Sequence, residues 1–538
     1  MAKLTRPTTK GVVHEGELLY DYLYNNINTL EYYGVSASND SKLNAKLLAD
    51  VVRKGLPVTG SKSAYTFDFS EEGDILTTST GLHLDMGEYE HTFINFPSIK
   101  SDTLLYAYIN LLVNGNNGKM CGILKARKCR KLVVDNLCIR DVRYKPSNSE
   151  DQFFALEVTG SEDKPRVFSI NNLEVHNVIC TTIPVSSGTP VPMTVLGGYF
   201  STSGYTSVCN ISINNLHVEN FYSVNDAGGL IDGDSDCLRM FTHPTNLSID
   251  NVVFLNSGKR MIKSQNNLKC KIGNLRAALD DRFTPNTVFI SLIDCQTNAL
   301  NSNTDIVIDN VEFTGIGSRS EGFTRFYTAS GNSYHTLRVN KANFFKLGIY
   351  NYAGSYVDYC LNNLKGSYLS LNAVESKVVI DGIKDDKFVT SNSKDLTVKD
   401  FTISFDSVPS GIMPMANAKL YNGEFVGLKG SEKVASFSHI ENVTLTYSDE
   451  SGYVRAMSPA SNNVRVYNVT VKGLSSTTSH LIDGGGRSGT IVFRDYRALS
   501  TLNPFVATTG SWSVYLDNCE PTSADGSGVI TKRVATYA

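Results

Sequence analysis

The chain has 538 residues, with 50 basic and 53 acidic side chains for a net charge of −3, and so lacks the basic excess that a phosphate-binding surface needs. No nucleic-acid partner is expected. No run approaches the ~18 apolar residues of a membrane span, and the opening MAKLTRPTTKGVVHEGELL has no apolar signal-peptide core. A soluble product without membrane insertion or a secretion signal is therefore expected.

The 27 Tyr and 25 Phe against one Trp, 42 Gly against 15 Pro, and only 19% charged residues fit many short strands and tight turns better than long charged helices. The ten cysteines contain no CxxC pair, so neither a zinc nor a redox motif is indicated. They are expected to stay reduced and packed as small apolar residues. No cofactor and no metal are expected.

Residues 1–80 differ in pattern from the rest of the chain and are read as an N-terminal capping or attachment region. Glu15 to Leu30 and Lys42 to Lys54 place apolar residues at helical spacing, and the second stretch has an N-cap candidate in Asp40 or Ser41 and a stop at Gly55. Two short helices and a few strands are predicted.

From about residue 130 an apolar residue, a polar pair ending in Asn, Asp or Gly, and a second apolar alternation recur. Examples are VVDNLCI (133–139), SINNLEV (169–175), SINNLHV (212–218), SIDNVVF (248–254), HIENVTL (439–445) and RVYNVTV (465–471). Successive copies fall 18–27 or 31–43 residues apart, the signature of stacked coils with inserted loops. The expected fold is all-β, a right-handed single-stranded parallel β-helix spanning 81–500, closed by a C-terminal coil and cap over 501–538. Each coil should turn at the Asn or Asp of the pair, which tolerates a left-handed backbone. Propeller blades or serial sandwiches would not repeat the turn asparagine in one place.

LEYYGVSASNDSKLNAKLLADVVRKGLPVTG resembles the opening segment of bacteriophage tailspikes and related pectate-lyase-like β-helix proteins, through Tyr33, Gly34, Val35, Asp40, Leu47, Ala49, Gly55, Pro57 and Val58. GKRMIKSQ (258–265) is similar to a run in phage tailspikes and polysaccharide depolymerases. The resemblance implies a homotrimeric virion appendage, joined to other tail or baseplate proteins, that binds and often cleaves a bacterial capsule, O-antigen or exopolysaccharide such as colanic acid. The chain departs from the family's usual motifs in lacking an Asp-Gly-x-x-Asp-Asp run and a Gly-His-Gly, though it carries Asn225-Asp226 and Arg260-Met261-Ile262-Lys263.

The densest acidic cluster, Asp226, Asp232, Asp234 and Asp236, precedes the bases Arg239, Lys259, Arg260 and Lys263. Glycoside hydrolysis needs two carboxyl groups about the scissile bond, one protonated and one ionised. On a strand, Asp232, Asp234 and Asp236 would share one face, expected to be exterior because unpaired carboxylates in an apolar column cost several kcal/mol each. Asp226, Asp232 and Asp234 are the expected catalytic set. Glu219, Tyr222, Asp236, Arg239, Arg260 and Lys263 are the expected substrate contacts, with Arg260 and Lys263 suited to an acidic sugar or to developing charge.

Other readings of the same residues are a solvated turn, or a calcium loop that lacks Gly at Cys237 and Glu at His243. Asp280-Asp281-Arg282 and the group His480, Asp483 and Arg487 are secondary candidates. The rival functions are a receptor-binding appendage without turnover and a polysaccharide lyase with Arg or Lys as base.

Overall fold

The computed structural model describes residues 13–14, 17–18, 28–145, 153–181, 193–198, 205–231, 235–279, 291–297, 302–314, 322–328, 333–351, 355–373, 376–385, 389–390, 393–404, 415–428, 435–448, 457–473, 480–485, 487–498, 503–506, 510–520 and 529–534. It is 69% strand and 4% helix, and the fold is a parallel β-helix. By its contacts the chain divides into two compact units, Met1–Lys271 with Leu279–Leu292 and Ile272–Ala278 with Ile293–Ala538.

At the N-terminus the helix Ser41–Arg53 forms as the spacing predicts, with the Asp40 carboxylate accepting from Lys42 N at 2.8 Å and Gly55 following at φ 66°. Most of the helix expected over Glu15 to Leu30 lies outside the described residues; within it, Glu17–Leu18 is a strand paired antiparallel with Val13–His14. Parallel pairing starts before residue 81, since Val58–Thr59 already pairs with Gly81–Ile94. No described helix is long and apolar enough to cross a membrane.

In the first unit, Gly81–Ile94, Tyr106–Asn114, Lys131–Tyr144, Arg166–Thr181, Cys209–Val224 and Thr245–Leu255 stack side by side in parallel. Their register aligns Leu111, Leu137, Leu173, Leu216 and Val252 into one buried column. Each of these side chains contributes about 1.5–3 kcal/mol when fully buried. A second parallel stack of Gly122–Lys125, Phe153–Thr159, Met193–Gly198, Ser235–Met240 and Arg260–Ser264 runs alongside. Phe153–Thr159, Met193–Gly198, Ser235–Met240 and Arg260–Ser264 are buried at every position, so both faces of that sheet are covered.

The repeated asparagines do stack, but their geometry differs between the units. In the first, Asn136 Nδ2 donates to Asn110, Asn172 to Asn136, Asn215 to Asn172 and Asn251 to Asn215, at 2.7–3.3 Å. The left-handed backbone is not there; it falls five residues further on, at Asp141, Asn177, Asn220 and Asn256, with φ of 46–55°. Asn220 and Asn177 form a parallel ladder of their own onto Asp141.

In the second unit the expected position is the left-handed one, at Asp400, Asn422, Asn442, Asn468, Asp495 and Asn518. Asn442 bonds Asn422 at 2.9 Å, and Asn468 bonds Asn442 at 2.8 Å. That unit is a parallel stack from Ser333–Val339 through Ser355–Ala373, Lys377–Asp385, Asp395–Ser404, Met415–Leu428, Ala435–Tyr447 and Asn463–Lys472 to Gly489–Arg494, Ser511–Asp517 and Val529–Val534.

None of the ten cysteines is joined in a disulfide, and eight of them are buried. Burial pushes the thiols of Cys129, Cys180, Cys209 and Cys270 up to about 12.

Candidate functional site

Of the expected acidic row, only Asp236 lies among the described residues. Asp232 and Asp234 lie outside the described residues. Asp236 is fully buried, at 0% exposure, on the strand Ser235–Met240. Parallel register sets it opposite Arg260 on the next coil and sets Arg239 opposite Lys263. Asp236 Oδ1 accepts from Arg260 Nη1 at 2.8 Å, Oδ2 accepts from Arg239 Nη2 at 2.8 Å, and Lys263 Nζ stands 3.6 Å from Oδ2.

The assignment of Asp236, Arg239, Arg260 and Lys263 to an open substrate surface is therefore corrected: they form a buried ion cluster, and their mutual neutralisation is what makes the interior position tolerable. Arg239 and Lys263 also lie over the Phe241 ring, at 5.1 and 5.3 Å from its centroid. Gly197, which pairs with Arg239 on the other side, keeps the coils close, since a Cβ there would come within 2.4 Å of the Arg239 carbonyl oxygen. A calcium loop is not favoured at Asp236, whose oxygens already face three cations.

Asp226 is exposed, in a turn where Asn225 Oδ1 accepts from Ala227 N and Gly229 N, and it pairs with Lys145 at 3.1 Å. Tyr222 is only 9% exposed and offers little ring face to a sugar. Asp280, Asp281 and Arg282 lie outside the described residues. Asp483 accepts from Gly485 N at 2.9 Å and Arg487 donates to the Pro459 carbonyl at 2.6 Å, so that region is a fixed bend.

Glu219 is half-exposed and belongs to a different constellation. On the outer face of the first-unit stack, register lines up Leu112, Cys138, Glu174 and His217 in one row and Asn114, Arg140, His176 and Glu219 in the next. The alternation that sends Leu137, Leu173 and Leu216 inward sends these residues outward. Glu90 joins from the strand beyond Leu112.

A cleft of about 220 Å³ opens here, lined by Glu90, Leu112, Asn136, Leu137, Cys138, Arg140, Asn172 and Glu174. Arg140 stands between two carboxylates, with Nη1 3.6 Å from Glu90 and Nη2 3.8 Å from Glu174, while its Nε donates to Cys138 Sγ at 3.1 Å. Burial pushes the Cys138 thiol up to about 11, against the pull of Arg140, so it stays protonated and its S–H faces Glu174 Oε2 at 3.7 Å. His176 Nε2 lies 3.2 Å from the same oxygen. The His217 imidazole is held below its ordinary value, first by burial and then by the neighbouring His176.

None of Glu90, Cys138, Arg140, Glu174, His176 and His217 stood out in the sequence. For all but Glu90 the detectable signal was the outward position, two and four residues past the laddered asparagine, repeated over successive coils. In the second unit, the exposed Tyr334 stacks on Tyr356 with ring centroids 5.4 Å apart, a surface of the sort that sugar rings lie on.

Comparison of the chain with protein-family models, with curated proteins and with solved structures found no match.

Proposed function

We propose that this chain is a polysaccharide-cleaving appendage of the phage-tailspike kind, an endo-acting glycoside hydrolase for a bacterial capsule or exopolysaccharide, with Glu90 and Glu174 as its paired carboxyl groups. The observation that carries this reading is the outward cleft with an acid from each side of Arg140. Glu90 and Glu174 lie on strands three spacings apart, ~14 Å at the backbone, and both side chains reach toward the guanidinium. Inverting hydrolysis would place a water between one of these carboxylates and the sugar. One carboxyl would protonate the leaving oxygen and the other would activate the water, while Arg140 orients both and binds an acidic sugar. Colanic acid is a fitting trial substrate, and a homotrimer on the virion is the assembly this reading entails.

The test is incubation of the purified protein with capsular and exopolysaccharides, colanic acid included, followed by assay of new reducing ends. Glu90→Gln and Glu174→Gln should each remove on the order of 10²-fold or more of the activity. Products absorbing as unsaturated uronates would indicate a lyase instead. Binding with no new ends would favour the second reading, glycan recognition without turnover, to which the exposed Tyr334–Tyr356 stack points.

A further inference from the structure

Beside the cleft, and sharing Glu174 with it, three side chains bring their ligand atoms together. His176 Nδ1 lies 3.5 Å from Glu219 Oε2, and His217 Nε2 lies 3.7 Å from the same oxygen. Both separations are long for hydrogen bonds. They match the edges of a tetrahedron, about 3.4 Å, around an ion whose ligands stand ~2.1 Å away. The two imidazoles meet edge to face with centroids 4.5 Å apart, and the three ligand atoms all lie within 4.8 Å of one another.

Two further features fit. His217 Nε2 is shielded from solvent and has no hydrogen-bond partner among the described residues. The other nitrogen of His176, Nε2, faces Glu174 Oε2 at 3.2 Å. A carboxylate accepting the far N–H of a ligating histidine fixes its tautomer and aims the remaining lone pair, the usual support of a histidine–metal bond.

We propose that His176, His217 and Glu219 form a binding site for a divalent transition-metal ion of the zinc class, with Glu174 as the orienting group behind His176. Two imidazoles and one carboxylate suit zinc, cobalt or nickel and disfavour magnesium and calcium, which take oxygen ligands. All three ligand residues are partly exposed, so an ion can reach the site from solvent. The ion would also tie two neighbouring coils together, since His176 belongs to Arg166–Thr181 and the other two ligands to Cys209–Val224. The alternative set Cys138, Glu174 and His176 also clusters. It already carries the Arg140 guanidinium 3.1 Å from the thiol, where a second cation would be repelled.

The experiment titrates Zn²⁺ into the metal-free full chain against a chromophoric chelator, and records the visible spectrum with Co²⁺. One ion per chain at micromolar or tighter affinity is expected, with the intense visible bands of a tetrahedral Co²⁺ site. His217→Gln and Glu219→Gln should each weaken binding by more than 100-fold, Glu174→Gln by about 10-fold, and Cys138→Ser hardly at all. Circular dichroism and melting of each variant without metal should match the wild type, which separates ligand loss from misfolding. Wild-type affinity no tighter than that of His217→Gln, or loss of binding in Cys138→Ser, overturns the assignment.

Discussion

Asp236 and Arg260 meet at 2.8 Å across two neighbouring coils of the first unit, each at no more than 4% side-chain exposure. Removing one partner of a buried ionic cluster leaves the others uncompensated, which typically costs about 3–5 kcal/mol. Asp236→Asn should therefore lower the melting midpoint strongly, whereas Asp226→Asn, which breaks only the exposed pair with Lys145, should change stability by less than about 1 kcal/mol. Thermal melting of the two variants side by side checks this; equal melting points would refute the structural role given to Asp236.

The cleft assignment and the acidic stretch make opposite predictions for activity. If Glu90 and Glu174 carry the chemistry, Asp226→Asn, Asp232→Asn and Asp234→Asn retain most of the reducing-end release, and Glu174→Gln loses it. The reverse pattern would move the site to the turn around Asp226.

Asn442 links the coil before it and the coil after it, and does so at φ 55°. Asn442→Ala loses both ladder bonds and leaves in the left-handed region a residue without the polar side chain that lets asparagine tolerate it, a conformation that costs ~1–2 kcal/mol. Asn442→Gly loses the bonds without that strain and should be the milder change. Chemical denaturation reporting on the second unit distinguishes them, and a milder effect of Ala than of Gly would contradict the ladder geometry.

His335 supplies an acid-sensitive element in the second unit. It is buried, it contacts Thr304 Oγ1 at 2.9 Å, and burial depresses it to about 4. Between about pH 4 and 6.5 the unfolded chain binds the proton that the folded chain refuses, so stability is full above pH 6.5 and declines as pH falls toward 4. The loss from this residue is up to about 3 kcal/mol. His335→Gln should flatten the dependence of the melting midpoint over that window, and an unchanged slope would exclude His335 as its source.

The tailspike reading carries a prediction about assembly. Sedimentation equilibrium should give three times the monomer mass of 58.9 kDa; a monomer at micromolar concentration would count against it.

The coil architecture was legible because stacking demands the same residue type at the same corner, and Asn136, Asn172 and Asn215 declare that corner. What the repeat did not disclose is which residue of the corner turns left-handed. Asn136 and Asn442 occupy equivalent places in their repeats, yet only Asn442 has positive φ, because in the first unit the bend is taken up at Asp141 and its neighbours in the stack.

The site was less legible. Period-two alternation suggests an exposed face for Asp236, but its sheet is covered on both sides, and only the register of the next coil reveals Arg260 opposite it. Glu90, Glu174 and Glu219 come from separate coils whose insertions vary in length. Their proximity follows from strand pairing, which no local spacing encodes.

The buried thiols have a consequence for how the protein ages. A thiol held protonated inside a packed column reacts with neither oxidant nor alkylating reagent at neutral pH. Cys129, Cys180, Cys209 and Cys270 thus act as internal clocks. Their modification rate in an oxidising medium measures how often the coils part, and damage begins only once a coil has already let go.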